Sequence, residues 1–145
     1  MCSDLELALP RLSAERYLIT SPKAKTYNCV AWAAGEVTRW WEPDPYHQHY
    51  WPMRTRNRLV ETYKKAFESI GYASCGLDAT VEPGFEKVAI YASGFHATHM
   101  ARQLPSGEWT SKCGRLEDIV HALEGLEGLE YGSVAVIMRR KRPRA

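Results

Sequence analysis

The stretch "EPGFEKVAIYASGFHATHMARQLPSGEWTSKC", residues 82–113, constrains the fold more than any other part of the 145-residue chain. "EPGF" turns into "KVAIYAS", whose β-branched and aromatic residues read as a strand. "FHATHMARQL" reads as a second strand, "PSG" as a turn and "EWTSKC" as a third strand. Strands in immediate succession form an antiparallel meander. Alternation along the second strand sends His96, Thr98, Met100 and Arg102 to one face, and Ala97, His99, Ala101 and Gln103 to the other. The register of the following turn stays open. If Leu104 pairs with Trp109, Thr110 and Lys112 share the face of His99. With one residue fewer in the turn, Trp109, Ser111 and Cys113 share it.

Residues 1–25 read as irregular, with at most a short helix over Ser13 to Ile19 ended by Pro22. A helix is predicted to start near Thr26 or Tyr27, with Thr26 as N-cap, and to stop at Gly35. "TRWWEPDPYHQHYWPM" follows, and Pro43, Pro45 and Pro52 forbid a continuous helix or central strand there. In "TRNRLVETYKKAFESIGY", Val60, Tyr63, Phe67 and Ile70 recur at helical spacing; Thr55 or Asn57 can cap that helix and Gly71 can end it. Leu116, Ile119, Val120 and Leu123 form another helical stripe, and "SVAVIMRR" reads as a last strand. Helices ahead of consecutive strands predict an α+β domain, with helices on one face of an antiparallel sheet.

The length suits one domain, residues 1–145, with one core. No apolar run approaches the ~18 residues of a membrane span. The N-terminus lacks the apolar core of a signal peptide, so a cytoplasmic protein is expected, or one exported without such a signal. Net charge is +2, but the tail "RRKRPRA", residues 139–145, carries five positive charges and the remainder is −3. The tail is expected to be a solvated basic segment. Nucleic-acid contact, if made, is confined to it. Cys2, Cys29, Cys75 and Cys113 form no C-x-x-C pair, so free thiols are expected rather than a zinc or redox motif. His47 and His49 lack a matching ligand pair; no metal and no cofactor are expected.

Cys29 in "TYNCVAWAAGE" lies in the first turn of the predicted helix. Two readings compete: a small core residue in an Ala-rich helix, or a thiol whose thiolate the helix N-terminus stabilises while its first-turn N–H groups receive an oxyanion. The second needs a base. His99, between Ala97 and Ala101, is the candidate; its alternative is a sheet histidine satisfied by hydrogen bonds. The rings of Trp40, Trp41, Tyr46, Tyr50 and Trp51 either wall a cleft or pack in the core.

"YNCVAWA", "KVAIYASGFHATHMARQLPSGEWTSKCG" and "EDIVHALEGLEGLEYGSVAVIM" together resemble an uncharacterised bacterial domain family, over roughly residues 26–138. At one remove the chain is similar to the papain-like thiol hydrolases of the NlpC and lecithin-retinol-acyltransferase-like groups. The resemblance implies a papain-like (NlpC-like) fold, an antiparallel sheet with the Cys-bearing helix and further helices packed on it. It implies Cys29 as nucleophile, His99 as general base and Ser111 as third member, with Thr110, Lys112 or His121 as alternatives. Lys87 stands where the NlpC pattern has a His. The implied function is a cysteine hydrolase or acyltransferase acting on an amide, thioester or ester of a peptide, protein or lipid, with Trp40, Trp41 and Trp109 binding substrate and a protein partner or inhibitor in the manner of an exported toxin. The alternative is an inactive module of the same fold that contacts a protein partner through its Trp-rich loop.

Overall fold

The computed structural model describes residues 17–21, 27–112, 118–123, 127 and 131–142. Seven strands form one antiparallel sheet: β1 (Tyr17–Ser21), β2 (Ala73–Ser74), β3 (Phe85–Ser93), β4 (His96–Gln103), β5 (Trp109–Lys112), β6 (Asp118–His121) and β7 (Ser133–Lys141). Their spatial order is β1-β6-β5-β4-β3-β7-β2. Among the described residues the helices are α1 (Cys29–Ala33) and α2 (Val60–Glu68).

This corrects the expected architecture. The protein is mostly antiparallel sheet, and the α+β, papain-like arrangement of several helices behind an N-terminal Cys-bearing helix is not what forms. Two segments account for the difference. The stripe through Ile119 and Val120 is the strand β6, which pairs with β5 on one side and β1 on the other. Tyr17–Ser21, expected to begin inside a short helix, is the edge strand β1. Both are short and rich in β-branched residues, and non-local pairing outweighs weak local helical periodicity.

The meander β3-β4-β5 and the last strand form as expected. Gly94 (φ 61°) makes the tight β3-β4 turn. The β4-β5 register pairs Gln103 with Trp109 and Arg102 with Thr110, so Ser111 shares the face of Gln103, Ala101 and His99. β7 runs through Arg139 and Arg140, so the basic tail begins inside the sheet; residues 143–145 lie outside the described ones.

The sheet is apolar on both faces. Val88, Ile90, Met100, Val136 and Met138 pack under α1 and α2 with Trp41, Trp51, Tyr63 and Phe67. Ala89, Tyr91, Ala101, Trp109, Ile119 and Ile137 form a second core, flanked by Cys75, Ala79, Leu123, Tyr131 and Val134. Burial on both sides explains why "KVAIYA" is a continuous apolar run rather than an alternating one. Lys87 at its start is buried, and its ammonium reaches Asp78 O at 2.9 Å and Glu82 at 3.0 Å.

Candidate functional site

Asn28, rather than Thr26, caps α1; Thr26 lies outside the described residues. Its side-chain oxygen accepts from Ala31 N at 3.1 Å and from Trp41 N at 3.1 Å, and its amide donates to Trp41 O at 2.7 Å. One buried amide therefore starts the helix and ties the Trp-rich loop to it. The helix starts at Cys29, two to three residues later than the expected start near Thr26 or Tyr27, so Cys29 is its first residue rather than one inside the first turn. Burial pushes its thiol up to about 11, against smaller lowering contributions from the backbone around Met100 and from the charge of Lys112. The side chain is half-buried, and the thiol form dominates at neutral pH. α1 has five residues, too few for a strong terminal dipole to offset burial.

α1 covers the face of Met100. Trp32 Nε1 donates to Thr110 Oγ1 at 3.0 Å, Arg102 lies over the Trp32 ring, and Lys112 lies over Tyr27. His99 pairs across the strands with Tyr91, on the opposite face. Its ring stacks on Tyr131 with centroids 4.1 Å apart and meets the edge of Tyr91 at 5.3 Å. Neither ring nitrogen makes a hydrogen bond. Cys29 and His99 both touch a small cleft of about 60 Å³ near the β4 backbone, yet the side chains project to opposite sides of the sheet. The thiol and imidazole that the resemblance pairs are therefore not paired.

Ser111 finds a different histidine. Its hydroxyl lies 2.7 Å from His121 Nε2, and His121 Nδ1 lies 2.6 Å from Ala122 O. A carbonyl only accepts, so Nδ1 carries the proton and Nε2 accepts from Ser111. Ser111 and His121 are fully buried. Burial lowers His121 to about 4, opposed by the Ala122 bond. Burial holds His99 well below its usual value, with His121 adding to the effect. Thr110, another candidate, donates to Ile119 O from the α1 face, where Lys112 also lies.

Of the tryptophans expected to bind substrate, two are core residues and one is half-buried. Trp41 and Trp109 are buried in the two cores, and Trp40 donates to Glu42. Trp41 packs against Tyr50 and Phe67, and Trp51 against Tyr63. The surface of this region belongs to other residues. Tyr46 is 81% exposed and Phe95 84%, with Leu59 partly exposed between them. Two grooves of about 610 Å³ meet at Leu59. One is lined by Val60, Lys64, Phe95 and Val136, the other by Pro43, Pro45, Tyr46, Arg58 and His96.

Backbone bonds fix the ridge between the grooves: Val60 N donates to Phe95 O at 2.9 Å and Ala97 N to Arg58 O at 2.7 Å. Asp44 fixes the Tyr46 turn by accepting from Gln48 N at 2.8 Å and His49 N at 3.0 Å, with Arg56 beside it. The Gln48 amide leads the effects that hold the Asp44 carboxyl below the usual range. Sequence inspection placed Tyr46 in the aromatic loop but missed Phe95 and Leu59. A ring following the glycine of a tight hairpin cannot reach a core, and that signal was present in "SGFH".

Residues 18–139 match a domain family of unknown function, DUF7689. The chain belongs to that family. Nothing links the family to the NlpC or lecithin-retinol-acyltransferase-like hydrolases. No curated protein and no solved structure matches the chain. Among the described residues of this DUF7689 domain, no three His, Cys, Asp or Glu side chains converge as a metal site, and no helix is long and apolar enough to cross a membrane.

Proposed function

We propose that this domain is a protein-recognition module that binds an apolar segment of a partner polypeptide across the ridge of Tyr46, Leu59 and Phe95. The observation that carries this is the exposure of those three side chains on a backbone pinned at both ends, between two grooves that meet at Leu59. Large apolar side chains on a hydrogen-bonded backbone bind at a lower ordering cost than on a free loop, and burying each contributes on the order of 2 kcal/mol. Thiol hydrolysis is the weaker reading, because His99 stacks on Tyr131 across the sheet from Cys29 and desolvation raises the thiol above its usual value.

The test is selection of peptides from a random library on the immobilised protein, with affinities then measured by fluorescence anisotropy. Tyr46→Ala and Phe95→Ala should each weaken the selected peptides about tenfold or more. Cys29→Ser should leave their affinity unchanged. A Tyr46→Ala/Phe95→Ala double variant that binds as tightly as the parent overturns the proposal.

A further inference from the structure

A charged cluster lies on the α1 side of the sheet, near the start of β3 and the end of β7. Arg102 on β4 is half-buried, with its guanidinium 4.9 Å from the Trp32 ring centroid. Among the described residues it makes no hydrogen bond and no ion pair, although burial disfavours its charge. The strand register brings it toward two more arginines: Arg102 pairs with Val88 and Arg140 of β7 with Glu86, two residues apart on one face of β3, and Arg142 lies just beyond β7. Glu86 is the carboxylate of this cluster, and it is already engaged, with Arg140 at 2.5 Å and Arg142 at 3.7 Å. Arg140 also donates to Ile70 O at 2.7 Å, and among the described residues three guanidiniums stand against one carboxylate in this cluster, a surplus of two positive charges.

Tyr72 supplies an independent sign that something is held here. It is 3% exposed, and its hydroxyl has no hydrogen-bond partner among the described residues. Arg140 lies over its ring at 4.6 Å. Burial raises the phenol to about 12, so at neutral pH it remains an O–H donor. An unpaired buried hydroxyl costs about 1–3 kcal/mol. An acceptor oxygen among the three arginines would satisfy both the hydroxyl and Arg102.

We propose that Arg102, Arg140, Arg142 and Tyr72 form a binding site for a phosphate dianion, either as the free ion or as a phosphomonoester. A dianion neutralises the two surplus charges, which a single carboxylate would not. Its several acceptor oxygens suit guanidinium forks and a phenol together.

The test is thermal unfolding and isothermal titration of the full chain with inorganic phosphate, phenyl phosphate and acetate, each against chloride at matched ionic strength. Both phosphates should stabilise the protein and acetate should not. Tighter binding of phenyl phosphate assigns the site to a monoester; equal binding assigns it to the free ion. Arg102→Gln should weaken phosphate binding about tenfold or more, while Arg39→Gln, on an exposed pair elsewhere, should not. Tyr72→Phe should also weaken binding yet leave the phosphate-free protein at least as stable, because it deletes an unpaired buried hydroxyl. Phosphate acting no better than chloride, or binding undiminished by Arg102→Gln, overturns the proposal. So does a Tyr72→Phe variant that loses stability without phosphate and binds it normally.

Discussion

Replacing Gly132 by alanine should destabilise the protein by about 3 kcal/mol or more. Gly132 leads into β7 with φ 72°, a backbone conformation disfavoured for residues with a Cβ. A Cβ there would stand 2.0 Å from Ala92 O and 2.7 Å from Ala92 C, both backbone atoms of β3. No rotamer change relieves a contact with main chain, so β7 would have to shift away from β3 at the point where the two pair. Gly94 separates the two contributions, because it has φ 61° and open space around its missing Cβ. Gly94→Ala should cost only about 1 kcal/mol, for the conformation alone. Urea unfolding of both variants checks this. A Gly132→Ala protein within about 1 kcal/mol of the parent would mean that β3 and β7 do not approach as described.

Acid should weaken the fold through its buried histidines. The folded values of His99 and His121 lie below their usual one, so the unfolded chain binds more protons as pH drops. Their contribution is complete above about 6.5 and declines as pH falls, for His121 until about 4. Between pH 7 and pH 5 His121 alone accounts for about 2 kcal/mol, and His99 acts in the same direction. Below that range the lowered carboxyls of Glu36, Asp44, Asp78 and Glu82 continue the loss. Chemical denaturation at pH 7 and pH 5 measures the difference. His121→Gln should flatten the dependence. Equal stability at the two pH values in the parent would contradict burial of two neutral imidazoles.

The parts of the fold that could be read from the chain are those whose pattern is local. β3, β4 and β5 are joined by turns too short to permit anything but neighbours, and α2 carries its stripe through Tyr63 and Phe67. The place of Cys29 near a helix N-terminus was recognisable from the small residues after it, but the start itself was not, because Thr26 and Asn28 are both good caps and the hydrogen bonds of Asn28 to the Trp41 backbone decide between them. β1 and β6 were not legible, since Ile119 and Val120 suit a helix stripe or a strand, and pairing with distant partners decides. The side of the sheet on which α1 lies was equally hidden. Ala97, His99 and Ala101 look like a slot for a close helix, but β3 is apolar on both faces, so its sequence does not say which face the helix covers. That ambiguity separates a Cys-His site from two unrelated buried residues.

The central claim, that the surface of Tyr46, Leu59 and Phe95 carries function while Cys29 has no imidazole partner, is tested most directly by the rate of Cys29 alkylation against pH. With Cys2, Cys75 and Cys113 replaced by serine, iodoacetamide modification should follow a single ionisation near 11, unchanged by His99→Gln. A Cys29 that reacts through an ionisation at or below neutral pH, and loses that reactivity on His99→Gln, would contradict the account and restore the thiol enzyme.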